Sequence, residues 1–202
     1  RVIHVVVDAI QGLGALTLDV RRANIDILAC GAQKWLLSPW GAGFTYVRQD
    51  LIGTLTPPVT SWMAFEGTDD FSRLTDYDDT YRADARRFEQ ITLPFQDFVG
   101  MNASVGMLLD VGIPRIAAHV RSLHAPLLEW AARRGVRVAS PTDSHRSAIV
   151  CLAPPDHAAA HQALRAARIY SSLREGAIRL SPHLFNTPAQ MDRVVEVLDS
   201  AL

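Results

Sequence analysis

Cysteine is scarce in this chain of 202 residues. Cys30 and Cys151 stand alone, without the close spacing of a zinc site or the even set of a disulfide framework. Both read as buried small hydrophobes, and a reducing cytoplasm is the expected setting. An excess of one charge is also lacking. Basic residues number 20 and acidic residues 21, a net charge of −1, which gives no electrostatic argument for nucleic acid or an anionic membrane as a partner. No run approaches the roughly 18 apolar residues of a membrane-spanning helix, and the first residues carry no signal-peptide pattern. There is no internal repeat, no low-complexity segment and no glycine-rich phosphate loop after a strand, which disfavours a nucleotide-binding domain. Ser38, Ser140 and Ser147 lack a nucleophile-elbow context. His119 and His124 do not share a helix face, and His157 and His161 lack a third ligand, so these histidines read as solvated helix residues and no metal is expected.

What is present is an ordinary globular composition, 49% hydrophobic and 20% charged, with length for one large domain or a domain and a half. Short apolar runs bounded by Gly, Pro or Asp predict strands over 2–7, 26–30 and 43–47, and a weaker extended stretch over 15–18. The first of these is apolar apart from His4. It reads as a strand of the buried, parallel type with no lead-in, which points to a missing N-terminal part. From 54 to 86 no period is sustained, through Pro57-Pro58, Trp62, Gly67 and the acidic cluster Asp76, Asp78 and Asp79. A loop of that length is functional or poorly ordered. Helical spacing returns over 94–111 and again over 113–134, where Gly135 suits the C-terminal stop and Pro126 predicts a kink. Strands at 136–139, 148–152, 169–173 and 177–181, a helix at 156–167 and a capped helix from Thr187-Pro188 complete an α+β pattern. A domain boundary is placed near residue 112, giving parts 1–112 and 113–202.

Two places carry chemistry. Val5-Val6-Val7-Asp8-Ala9-Ile10-Gln11-Gly12 is an apolar strand ending on an acid and an amide, and open α/β sheets bind ligands at such carboxyl ends. Gly31-Ala32-Gln33-Lys34-Trp35 then sets a lysine among apolar neighbours, ahead of Gly41-Ala42-Gly43. Those neighbours would desolvate the amine and favour its neutral, nucleophilic form. An acid able to hold a pyridine nitrogen protonated, an amide able to bond a ring oxygen and a lysine able to form a Schiff base are the parts of pyridoxal phosphate chemistry. Each also has a bland use: a turn cap for Asp8, loop polarity for Gln11, a snorkelling surface charge for Lys34.

Taken with Arg87-Phe88-Glu89-Gln90-Ile91-Thr92, Gly176-Ala177-Ile178-Arg179-Leu180-Ser181-Pro182-His183 and Asn186-Thr187, these stretches resemble the class V (fold-type I) aminotransferases. That family includes cysteine desulfurases, kynureninase and isopenicillin N epimerase-like proteins. The motifs run in order from one end of the chain to the other. The resemblance implies an α/β fold: the C-terminal part of a pyridoxal-phosphate transferase large domain with a mostly parallel sheet, then a small α+β domain. It implies pyridoxal 5′-phosphate as cofactor, an amino-acid substrate and a homodimer. Lys34 would be the Schiff-base lysine and move the α-proton, Asp8 would pair with the pyridinium nitrogen and Gln11 would bond the phenolic oxygen. Thr92 would reach the cofactor phosphate, often from the neighbouring subunit, and Arg179 would hold the substrate α-carboxylate, a task suited to a guanidinium.

The departures are specific. Family members often carry Ser or Thr three residues before the lysine and His immediately before it; Gly31 and Gln33 stand there, leaving a backbone N–H and the Gln33 amide to make cofactor contacts. Ile91 replaces a common Gly. The 169–175 stretch has no cysteine, and Cys151 sits in an apolar run, which disfavours desulfuration. Arg174-Glu175-Gly176 looks most like the epimerase-like and kynureninase-like branches. The expected activity is transamination, epimerisation or lysis at an amino-acid α-carbon. The alternative is a non-catalytic truncated homologue serving as a dimerisation or scaffold module.

Overall fold

The computed structural model describes residues 3–73, 75–76, 79–90 and 92–202; Val2, Asp78 and Ile91, which enter the expectations above, lie outside the described residues. The chain divides into two compact units, Arg1–Leu13 with Leu18–Met107 and Gly14–Thr17 with Leu108–Leu202.

The first unit is built on a three-stranded sheet in the order β1, β2, β3: Val6–Asp8, Ile27–Gly31 and Gly43–Val47. β1 runs parallel to the central β2, and β3 antiparallel to it. The expected strand over 2–7 is realised only from Val6, because β2 begins at Ile27 and offers no ladder partner further back. There a buried carboxylate takes over. Asp26, 4% exposed, accepts a 2.7 Å hydrogen bond from the Val5 amide and pairs with His4 and Arg48, joining the chain entering β1 to the chain leaving β3. A buried carboxylate persists only with such partners.

A one-turn helix α1 (Gln49–Ile52) follows β3. The 54–86 segment is irregular, as the lost period predicts, but it is organised around one side chain. Arg82, 4% exposed, donates to the Met63 carbonyl at 2.8 Å, to both Asp69 carboxylate oxygens at 2.9 Å and to Thr68 Oγ at 3.0 Å. Three short 3-10 turns and a Phe65–Tyr81 bridge complete it. Helix α2 (Phe95–Val111) then begins after Pro94.

In the second unit, α3 (Ile113–Arg133) runs through Pro126 and ends where Gly135 takes the left-handed conformation, φ 63°. The Val136 and Gly135 amides bond back to Ala131 and Ala132 carbonyls, the glycine stop read from the sequence. Next come β4 (Arg137–Val138), β5 (Val150–Ala153), α4 (His157–Ala166), β6 (Ser172–Arg174), β7 (Ala177–Leu180) and α5 (Pro188–Ala201). The four strands form an antiparallel sheet in the order β4, β5, β7, β6. Glu175 and Gly176, both at positive φ, make the two-residue turn that matches strand twist. Thr187 and Gln190 form the capping box of α5, satisfying two otherwise orphaned amides. Alternation along β5 and β7 sends Leu152 and Ile178 into a core with Leu127, Trp130, Leu164 and Leu198, all fully buried. The Trp130 indole donates to Asp199 Oδ1 at 2.7 Å, and Arg133 and Arg134 flank the same carboxylate, so α3 and α5 are fixed by a polar clamp as well as by apolar area.

Two expectations are corrected. Residues 15–18 form no strand: they lie in turn and coil, and Ala15 is fully buried in the second unit, beside Ala117 and Val120 of α3. A short apolar run carries no information about its partner, and here the partner is a helix. The helix histidines are not simply solvated either. His124 is 2% exposed, and half-buried His119 contacts the Asn186 carbonyl through Nε2 at 3.0 Å. Among the described residues no group of three or more His, Cys, Asp or Glu is placed to hold a metal, and no single helix is long and apolar enough to cross a membrane.

Burial holds the His124 imidazole below its ordinary value of 6.5, with a hydrogen bond to the Ala148 backbone opposing the shift and the Arg146 charge adding to it. Above 6.5 the ring is neutral in both states; below it the unfolded chain takes up a proton that the folded chain resists. Stability therefore falls as pH drops through 6.5 and below. Thermal unfolding followed from about pH 7.5 to about pH 5.5 should show this fall, and His124→Gln should flatten it; an equal slope in the variant would assign the loss to other groups.

Candidate active site

β2 ends at Gly31 and β3 begins at Gly43, and these two residues are register partners. A Cβ on Gly43 would lie 2.7 Å from the Cys30 carbonyl oxygen, a backbone atom with nowhere to move. The ladder can therefore close here only without a side chain. The closed ladder turns 32–42 into a loop fixed at its base, with the Ala32 amide bonded to the Ala42 carbonyl and the Ser38 amide to the Ala32 carbonyl, both at 3.0 Å. The loop also lies against α2. A Cβ on Gly41 would meet Asp97 Oδ2 at 2.7 Å, and one on Gly100 would meet the Pro39 ring at 2.7 Å. Leu37 holds a left-handed conformation, φ 56°, a strain of the kind that cores over-determine near functional sites.

Lys34 sits in this loop, and the Leu37 amide bonds its carbonyl at 3.1 Å. Trp35 and Leu36 turn into the core at 4% and 7% exposure, whereas Lys34 is exposed and forms no ion pair among the described residues. The expectation that its apolar neighbours desolvate the amine is corrected: they pack inward and leave the side chain standing out. The sequence held a stronger signal than apolar context. Lys34 is the only lysine in the chain, the other 19 basic residues being arginine. Nineteen arginines with no second lysine leave the surface-charge reading of this one residue without company.

Asp8 is the last residue of β1, exposed, with Oδ1 accepting from the Ile10 amide at 3.0 Å. It is paired with Ala29, which in turn pairs with Thr45 on β3, so residues 8, 29 and 31 present one face. Gln11 follows in an exposed turn in which the Gly12 amide bonds the Ala9 carbonyl. The half-buried Gln33 folds its carboxamide back against Gly31 and Ile10, onto the face that carries Asp8. The structure thus brings Asp8 and Gln33 to one sheet face, with Gln11 in the turn after Asp8 and Lys34 in the adjoining loop. Thr92 is exposed ahead of α2. Arg179 belongs to the second unit. It is the register partner of Cys151 on one side and Ser172 on the other, and its Nε is buried without a partner among the described residues. Burial pushes both cysteine thiols up; at Cys151 the Arg179 charge opposes it, and at Cys30 the Asp8 charge adds to it. Sequence reasoning passed over Arg82 and the pocket it helps wall with Trp62, Phe71, Arg86 and Glu89, because an arginine in a patternless stretch gives no sign of burial.

The model of the aminotransferase class-V family matches residues 1–193. An uncharacterized aminotransferase of Bacillus subtilis is 30% identical over 190 residues, 94% of this chain and 49% of that protein. A probable cysteine desulfurase of Methanothermobacter thermautotrophicus is 32% identical over 124 residues, 59% of this chain and 29% of its own. Among solved structures, the apo cysteine desulfurase of Thermococcus onnurineus superposes with a TM-score of 0.83 over 97% of this chain and 52% of that one, at 21% identity. The chain spans about half the length of the curated relatives it matches.

The glycine contacts carry a test. Gly43→Ala should destabilise the first unit by about 1–3 kcal/mol through backbone overpacking. Gly53→Ala, where nothing lies within 4 Å of the added carbon at φ −74°, should be neutral or stabilising by about 0.5 kcal/mol. Urea unfolding followed by tryptophan fluorescence compares them; equal midpoints would remove the strand contact as the constraint on the lysine loop.

Proposed function

Because the chain belongs to the aminotransferase class-V family, we propose that it forms part of a pyridoxal 5′-phosphate enzyme acting at the α-carbon of an amino acid. The observation that carries this reading is the single lysine, its amine in no ion pair among the described residues, in a rigidly based loop beside a strand-end carboxylate. The residues fit the cofactor, since Asp8 offers a carboxylate on an accessible sheet face and Gln33 places a carboxamide on the same face.

Asp8 would pair with the pyridinium nitrogen and Gln11 with the phenolic oxygen, while Gln33 and Thr92 contact the phosphate, Thr92 from a second copy of the chain in a homodimer. Bound there, the cofactor supplies an electron sink for negative charge developing at the substrate α-carbon. Lys34 Nζ is the covalent anchor and the base that removes and returns the α-proton. Arg179, whose Nε has no partner among the described residues, would hold the α-carboxylate through paired N–H donors. A thiol-dependent reaction is disfavoured, since 169–175 contains no cysteine and burial works against ionisation of Cys151. Transamination, epimerisation and lysis without a protein thiol remain as the reaction class.

The experiment is a borohydride trap. The chain is mixed with pyridoxal phosphate, reduced and mapped by peptide mass spectrometry. The only side-chain adduct should fall on Lys34, with a near-visible absorbance band before reduction, and both should vanish in Lys34→Arg. A chain that forms neither would instead be the non-catalytic dimerisation or scaffold module.

A further inference from the structure

The irregular segment of the first unit holds a cavity that the chemistry above leaves unused. Trp62, Phe71, Arg82, Arg86 and Glu89 wall a space of about 100 Å³. One side of it is rigid, because Arg82, 4% exposed, is held by the Met63 carbonyl, Thr68 and both Asp69 oxygens. Ser61 ties another side down. Its hydroxyl donates to the Glu89 carbonyl at 3.1 Å and accepts from the Met63 amide at 3.2 Å, which sets Glu89 beside the turn that carries Trp62. The rings of Trp62 and Phe71 are 39% and 71% exposed, with centroids 5.9 Å apart and planes at 58°. They make an exposed aromatic corner over a fixed polar floor, the kind of surface that marks an interaction site.

Charge decides what the cavity takes. Arg82 pairs with Asp69 and Arg86 with Asp84, both at 2.9 Å, and those hydrogen bonds hold the two carboxyls below their ordinary range. Each arginine is therefore neutralised in place. Glu89 is half-buried and belongs to no ion pair among the described residues. An anion would meet Glu89 with both arginines already engaged. A neutral guest would shield the carboxylate from water without giving it a counterion. A cation satisfies the carboxylate and gains from the negative faces of the rings, tryptophan being the best ring for this. Size narrows the guest, since pockets that enclose a whole drug-sized ligand start at roughly 300 Å³. Only a head group fits.

We propose that this pocket binds a small organic cation, a guanidinium or alkylammonium head group, with Glu89 as counterion and Trp62 and Phe71 as the cation–π wall. None of Asp8, Gln11, Gln33, Lys34, Thr92 and Arg179 lines it, so the site stands or falls apart from the cofactor reading.

Trp62 supplies the readout. The chain has four tryptophans, so its indole N–H signals in a ¹⁵N spectrum are few, and Trp62→Phe assigns the one at the pocket. Methylguanidinium should shift that signal with a dissociation constant on the order of 1–10 mM, the range open to a guest of about five heavy atoms. Methylurea, the same shape without the charge, and acetate should bind at least about tenfold more weakly. Glu89→Gln should weaken methylguanidinium about tenfold, to the level of methylurea, whereas Glu129→Gln, at an exposed site on α3, should change nothing. Saturation transfer to the ligand methyl group, which needs no indole at 62, should drop about two- to fivefold in Trp62→Leu and recover in Trp62→Phe. An unaltered melting curve for Glu89→Gln makes its loss one of binding; if that variant melts early, the methylurea comparison and the Trp62 series decide alone. A Trp62 signal unmoved at about 50 mM methylguanidinium, equal binding of methylurea, or a folded Glu89→Gln variant with wild-type affinity would overturn the proposal.

Discussion

The first unit depends on two backbones touching without side chains between them. Gly43 can pair with Gly31 because its missing Cβ leaves room for the Cys30 carbonyl, and that pairing fixes both ends of the loop from 32 to 42. A loop tied at its base by two backbone bonds and held from the side through Gly41 and Gly100 has little freedom left. The lysine it carries is aimed by backbone geometry, not by packing around its own side chain. This arrangement leaves the amine outside the core while its neighbours Trp35 and Leu36 anchor the loop within it.

The second unit solves a different problem. Its sheet buries Leu152 and Ile178 on one face against three helices, and alternation leaves Cys151, Arg179 and Ser172 on the other. The arginine is held by strand register on both sides, so its stem is placed by the ladder, and its Nε is buried without a partner among the described residues. The Asp199 cluster on α5 shows the contrast. There Trp130, Arg133 and Arg134 converge on one carboxylate and use up its hydrogen-bonding capacity.

How much of this was legible from the sequence follows physical range. Local chemistry read through well: the Thr187 cap on α5 and the left-handed stop at Gly135 are each decided by atoms a few residues apart. Strands 26–30 and 43–47 were found nearly in place because alternation and flanking glycines are also local. The misses are tertiary. Residues 15–18 carry an apolar run whose partner is a helix about a hundred positions away, and no period encodes that. His124 was buried by its neighbours, not by its own polarity. Lys34 was read as desolvated because apolar residues adjoin it in sequence, whereas in space they point elsewhere. The order of motifs from Asp8 through Lys34 to Arg179 exposed the family.

The solitary lysine has a consequence for anyone handling the protein. Acylating reagents, amine-directed cross-linkers, reductive alkylation and fluorescent succinimidyl esters have only one side-chain target on this chain, and it stands exposed in the candidate site. Arginines carry the rest of the positive charge and leave the colloidal behaviour intact. Chemistry that would tag another protein harmlessly at random becomes here a stoichiometric and site-specific event.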